Sequence, residues 1–441
     1  MTVRPSAGAA VRLVATLCAT YVISQFYRSS VAVIAPDLMR EVRLSAEAMG
    51  MLTGAFFLAF ALAQIPIGVL LDRYGPRRTI PALLVLAVAG ALLFAAAAGL
   101  IGLTFARALM GLGCAGVLMG SLVVCSRWFP VDRFATLAAV LIGVGSAGNL
   151  LATSPLAGAA EALGWRAAFV AMGAITAGLG LLYFVVVRDA PPGHPFHRKT
   201  PETLGESLRG LREVLATPGL SHVFAISFVV YGTLASVLAL WGGPYLHDVH
   251  GLDGIGRGNV LLAMALALIA GTACFGPLDR LLDTRKRIVL AGAFASAAVF
   301  ALLALVPRPP LWQVTVLFVL LGFLSPYGVV VMAHSRALFP ERLVGRGITT
   351  VNMAVFIGVA VLQLATGLIV GAFPTTDGAA PEAAYRLVFA FLGAVLLIAA
   401  LYYRRVKDMK PSRDVGAEAD LAPGKPGTLE PASGGRDSRG S

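Results

Sequence analysis

Tyr21, Ser24, Gln25 and Arg28 fall at i, i+3, i+4 and i+7 of one long apolar run, so a helix would carry all four on a single face. Three offer hydroxyl or amide groups and the fourth a guanidinium, whose planar fork matches carboxylate or phosphate oxygens two at a time. A charge inside a bilayer-length run needs a reason. Snorkelling to the interface, or bonding to backbone carbonyls, would supply one; a water-filled cavity that receives a solute supplies another, and the shared face favours it. Arg107 opens a second such run, Arg107-Ala-Leu-Met-Gly111-Leu-Gly113-Cys-Ala-Gly116. If Arg28 and Arg107 meet, they form a two-pronged clamp for an anion. None of the 23 acids falls inside an apolar run, so such a cavity is net positive: it favours anions, repels cations and holds no evident carboxylate to carry a coupling proton. No phosphate-binding Gly-x-x-x-x-Gly-Lys loop, metal-ligand cluster or nucleophile–base arrangement is present. ATP hydrolysis and covalent chemistry are therefore unsupported, and no enzyme activity, metal or cofactor is expected. Cys18, Cys114, Cys125 and Cys274 read as small packing residues.

The elements that must hold these side chains are long and apolar. Over 441 residues the chain is 58% hydrophobic and 13% charged, with a mean hydropathy of +0.82, a composition outside that of soluble domains. Twelve runs of bilayer length can be counted, at about 12–36, 48–70, 79–99, 101–123, 136–160, 166–187, 219–243, 258–278, 288–306, 312–335, 348–372 and 386–403. The net charge of +12 could suggest a nucleic-acid partner, but most of the 35 Lys and Arg fall on alternate connecting segments and the two tails. That is the positive-inside bias. It predicts a multi-pass protein of the bacterial inner membrane with both termini cytoplasmic, and no nucleic-acid partner. Arg4 and Arg12 precede the first run as they would a signal peptide, yet the run is too long for a signal core and reads as the first span.

Two landmarks recur. Gly68-Val-Leu-Leu-Asp72-Arg73-Tyr74-Gly75-Pro76-Arg77-Arg78 is answered by Gly276-Pro-Leu-Asp279-Arg280, and Ser126-Arg127-Trp128-Phe129-Pro130 by Ser335-Arg336-Ala-Leu-Phe339-Pro340, at offsets of 207 and 210 residues. Two independent landmarks at nearly one spacing indicate an internal duplication into parallel halves. The first stretch resembles the loop signature between helices 2 and 3 of the major facilitator superfamily, and the arginine followed by spaced glycines at 107–116 resembles that family's fourth helix. Pro36-Asp37-Leu38-Met39-Arg40-Glu41-Val42, read as the first loop, and Phe56, Phe57, Gln64 and Pro66 in the second run resemble the organic-anion and nitrate-type branches. Several organic-anion members carry an aspartate just before the helix 1 arginine; Tyr27 stands there in this chain.

The resemblance implies an all-α membrane protein of 12 transmembrane helices in two pseudo-symmetric six-helix bundles, rocking about a midplane site. It implies that Gly68, Asp72, Arg73, Gly75, Arg77, Arg78, Asp279 and Arg280 are gate parts. Asp72 would dock near the start of helix 11 and Asp279 near the start of helix 5 when the site faces outward, with Gly68 letting a backbone come close. Helices 7 and 10 answer helices 1 and 4, which makes Tyr231 and Tyr327 cavity candidates beside Arg28, Arg107, Tyr21 and Gln25. His334 reads as a structural hydrogen-bonding residue. The expected domains are 1–187, a linker at 188–218 with a short amphipathic helix on the Leu204, Leu208, Leu211 and Leu215 stripe, 219–403, and a disordered tail at 404–441. The expected function is secondary transport of a small, anionic solute by proton-coupled symport or anion exchange, by a monomer in lipid, with protons as the partner in the symport case. A drug or metabolite efflux antiporter and a non-transporting sensor are the alternatives.

Overall fold

Apolar sequence of this length can satisfy its backbone inside a bilayer only as helix, and twelve helices long enough to cross form. The computed structural model describes residues 7–129, 131–191, 213–339, 343–375 and 379–412. The spans are α1 (Gly8–Ser29), α2 (Ala46–Leu71), α3 (Pro76–Ala96), α4 (Leu100–Trp128), α5 (Thr136–Leu163), α6 (Trp165–Val186), α7 (Leu220–Asp248), α8 (Gly254–Leu282), α9 (Lys286–Leu305), α10 (Leu311–Leu338), α11 (Gly347–Gly371) and α12 (Glu382–Tyr403). They assemble as two six-helix bundles, α1–α6 and α7–α12. The amphipathic helix expected within 188–218 and the Asp72 side chain lie outside the described residues.

Helices 1, 4, 7 and 10 are each interrupted, at matching places in the two halves. α1 breaks at Ser30 and resumes as Val31–Val42, so the stretch expected as the first loop is helix. α4 breaks at Ala115–Gly116 and α10 at Ser325–Pro326, while α7 widens into a π turn at Val237–Trp241. Gly and Pro account for the breaks in α4 and α10. Broken helices at the centre of a membrane bundle put free backbone groups and unusual side-chain directions where a solute would pass.

The duplication is visible in how each half ties its end at the face that carries the termini. After α6, Asp189 accepts from the Arg77 N–H at the start of α3 (2.7 Å), and Trp128 Nε1 donates to the Arg188 carbonyl (2.8 Å). After α12, Asp408 accepts from the N–H groups of Arg285 (3.2 Å) and Lys286 (3.0 Å) at the start of α9 and from Thr284 Oγ1 (2.5 Å). His334 Nε2 donates to the Lys407 carbonyl (3.1 Å), as Trp128 does to Arg188. Each carboxylate meets the positive end of a helix dipole. Partial burial opposes ionisation of Asp408, but the bonds from Thr284, Lys286 and Arg285 outweigh it and hold the carboxyl below its ordinary value. Residues 404–412 are therefore docked on the bundle, and the tail expected from Arg404 cannot start before this cap ends. Gly75 is explained by the same contact: its φ is +76°, and a side chain there would run into the Asp189 carboxylate.

Candidate functional site

Arg28 sits at the seam between the bundles, 7% exposed. Its guanidinium lies 4.9 Å from the Phe60 ring of α2 and 5.0 Å from the Phe356 ring of α11, with the Tyr21 and Tyr231 hydroxyls as polar neighbours. Phe60 and Phe356 touch each other across the seam at 4.4 Å, and Tyr231 meets Phe356 edge-on at 6.0 Å. Both phenylalanines stand near the middle of their helices, so Arg28 lies level with the middle of α2 and α11. Stacking on aromatic faces offsets part of the cost of burying the cation, yet it supplies no counter-charge, and Nε has no partner.

Three of the residues singled out on sequence, Tyr21, Arg28 and Tyr231, are thus brought together from α1 and α7. Gln25 shares the α1 face, is buried, and leaves Oε1 without a partner. Arg107 is fully buried behind Phe56, 4.6 Å from that ring, and donates through Nη1 to the Tyr27 carbonyl (2.6 Å). That carbonyl, which also accepts from Ser30, belongs to the break in α1. Arg107 consequently ties α4 to α1 in place of the direct two-pronged clamp, while Nε and Nη2 remain unpaired. The Cys114 thiol lies within electrostatic reach of both guanidiniums. Tyr327 is turned onto Gly292 of α9 and packs inside the second bundle.

Above Arg28, toward the face away from the termini, the bundles are shut. Gly50 and Gly54 of α2 lie on the Gln363 and Ala360 carbonyls of α11, and Gly367 lies on Ala46 and Gly50. Beyond them Arg257 at the start of α8, 3% exposed, pairs with Asp37 of the α1 extension at 3.2 Å. Glu161 of α5 accepts from the Ile255 N–H (3.2 Å), and Ser154 bonds to Asn259 (2.7 Å). Sequence reading missed this seal, although Gly-x-x-x-Gly spacing at 50/54 and again at 367/371 marked both helices for close approach. Glu41 on the same extension holds Trp165 and Arg166, so the Gly164-Trp165-Arg166 turn anchors the outer piece of α1.

At the terminus face the contacts made by Asp279 and Arg77, two of the residues expected as gate parts, stay within their own bundles. A side chain at Gly68 would meet open space, whereas a close backbone was expected there. Asp279 pairs with Arg285 of its own bundle at 3.3 Å. Arg77 bonds to the Phe184 carbonyl (3.1 Å), Arg73 lies over Tyr74, and Arg78 and Arg280 are exposed.

His334 is fully buried between Tyr403 and the Lys407 carbonyl. A carbonyl can only accept, so Nε2 carries the proton and Nδ1 accepts from the Tyr403 hydroxyl, giving a neutral ring with both nitrogens engaged. His334→Leu strands the hydroxyl and the carbonyl, at about 1–3 kcal/mol for each unsatisfied group. It is expected to lower the melting temperature of the purified protein while leaving uptake per folded molecule intact.

Two six-helix bundles in close contact at the face away from the termini, around a buried cation, define a multi-pass membrane protein with a charged seam. The chain belongs to the Major Facilitator Superfamily, whose sequence profile matches residues 17–307 and 258–434. It is similar to a probable sulfoacetate transporter of Cupriavidus necator, 24% identical over 59% of this chain and 61% of that protein. It is also similar to a nitrate/nitrite transporter of Picosynechococcus, 28% identical over 51% and 45%, and to a hexuronate transporter of Bacillus subtilis, 26% identical over 86% and 92%. The chain thus spans 61% and 45% of the first two relatives and most of the third. Among solved structures, a bacterial homologue of the lysosomal transporter Spinster superposes with a TM-score of 0.76 at 19% identity, over 91% of this chain and 97% of that one. The xylose transporter of Escherichia coli gives 0.69 at 15%, over 93% and 99%. At these identities the superpositions speak to the fold alone. The chain is a multi-pass membrane protein of that superfamily.

Proposed function

We propose that this chain carries a small organic or inorganic anion across the bacterial inner membrane by alternating access, its termini in the cytoplasm, and that the structure is the inward-open state. One observation carries the reading: a guanidinium level with mid-span at the seam of the bundles has aromatic and hydroxyl neighbours and, among the described residues, no carboxylate. Every acid in the spans stands within three residues of a helix end, as Glu47, Glu161, Asp248, Asp279 and Glu382 do. Such a site attracts anions and repels the cations that a drug exporter of the usual kind accepts. The relatives named for sulfoacetate, nitrate/nitrite and hexuronate add support, since all of these are anions.

In this mechanism an anion enters from the cytoplasmic face, takes the unpaired Nε–H of Arg28 and the hydroxyls of Tyr21 and Tyr231, and lies against Phe60 and Phe356. Arg107 adds positive potential from the layer behind. Reversal of the cycle separates the Gly50–Gln363 and Asp37–Arg257 contacts and brings Asp72 and Asp279 to the neighbouring helix ends. The test is a melting screen of purified protein with glucuronate, sulfoacetate, nitrate, phosphate esters and a cationic amphiphile. An anion at a hundredfold its Kd adds about 2.7 kcal/mol, which raises the melting temperature. Stabilisation by the cation alone would defeat the reading.

A further inference from the structure

Arg28 and Arg107 leave three N–H-bearing nitrogens unpaired, Nε of Arg28 and Nε and Nη2 of Arg107, on side chains that are 7% and 0% exposed. Around them the neighbouring polar groups are the hydroxyls of Tyr21 and Tyr231 and the Cys114 thiol, none of them a carboxylate or an imidazole. The sequence places no carboxylate in the middle of any span, and His334 has both ring nitrogens engaged at the terminus end of α10. A proton symporter needs a group near the solute whose proton comes and goes with the cycle. Among the described residues no side chain around Arg28 fills that role.

The same charges restrict how the empty protein moves. In this structure Arg28 keeps a small exposed fraction, 7%, and so some contact with water. Passing to the outward-open state requires the bundles to close around it, and closing strips the remaining solvent from a cation that has no internal counter-charge. Desolvating an unpaired ion slows that passage by orders of magnitude. An anion seated on Arg28 removes the penalty, because the loaded cavity is close to neutral when it closes. We propose that the carrier is an obligate anion exchanger, reorienting only with an anion on Arg28, and that no proton accompanies the solute. This rests on the reading of Arg28 as the anion site and adds the coupling mode to it.

The test uses the full-length protein in proteoliposomes and labelled glucuronate or sulfoacetate, whichever the melting screen retains. One set of vesicles holds the same unlabelled anion; a second holds dextran sulfate, a polyanion too large to be carried, as its only internal anion. Exchange predicts labelled uptake at least tenfold faster into the first set, and less than a twofold change when the interior is made alkaline or a protonophore is added. Rapid uptake into dextran sulfate vesicles overturns obligate exchange and leaves the anion site standing. If an alkaline interior accelerates that uptake and a protonophore abolishes it, the protein is a proton symporter. A melting shift without uptake into either set removes the carrier reading, and the absence of both shift and uptake removes the anion site; each of these takes the exchange proposal with it.

Discussion

Arg28→Gln is expected to abolish anion uptake while leaving the protein folded and at least as stable as the parent when no anion is present. Truncating one partner of a buried, hydrogen-bonded charge pair costs about 2–5 kcal/mol, which is roughly 30- to several-thousand-fold in affinity at 1.4 kcal/mol per decade. The stability half of the expectation follows from the site. Arg28 is nine-tenths buried with Nε unpaired and no acid beside it, so exchanging it for a neutral amide removes a desolvated charge and breaks no ion pair. Arg28→Lys keeps the charge but gives up the planar fork and the stacking on Phe60 and Phe356, and should retain intermediate uptake. Proteoliposome uptake and melting with and without anion are measured together. A structural arginine would behave in the opposite way: Arg28→Gln would melt lower, and the anion-dependent shift would persist.

How much of this was legible beforehand follows the range of the interactions involved. Span count, duplication and family rest on composition and on local motifs, both of which survive in a single sequence. The side-chain cluster at the seam was legible in part, because Tyr21, Gln25 and Arg28 are linked by helix periodicity alone. That Phe60 and Phe356 sandwich the guanidinium was not, since it depends on how α2 and α11 cross, and no spacing within either helix encodes that crossing. Arg107 shows the limit from the other side. Its place in a glycine-rich helix suggested a second prong, but the break at Ser30 exposes the Tyr27 carbonyl, and the nearer acceptor takes the guanidinium. Asp37 was read as part of the first loop; only the helical continuation Val31–Val42 carries it across to Arg257 of α8.

The two ends of α2 should give opposite phenotypes when their glycines are enlarged. At the far end a Cβ on Gly50 would stand 2.5 Å from the Gln363 carbonyl oxygen and 3.0 Å from the Gly367 Cα, both backbone atoms that cannot turn aside. Gly50→Leu therefore works against the sealed far face, and overpacking of this kind costs about 1–3 kcal/mol, enough to shift a two-state equilibrium by roughly 5- to 150-fold. Gly50→Ala should do the same more weakly. At the terminus end, about 27 Å along the helix at 1.5 Å per residue, Gly68 faces open space in this state. Gly68→Leu leaves the inward-open form untouched and obstructs the state in which that end closes. The readout is a cysteine at Ala360, which lies on Gly54 in the seal, in a background with Cys18, Cys114, Cys125 and Cys274 replaced by alanine. A bulky maleimide should label it about tenfold faster in Gly50→Leu than in the parent, and more slowly in Gly68→Leu. Both variants should transport poorly, because every cycle passes through both seals. Equal labelling in the two would mean that the glycines merely pack helices, and that the face closed here is not a gate.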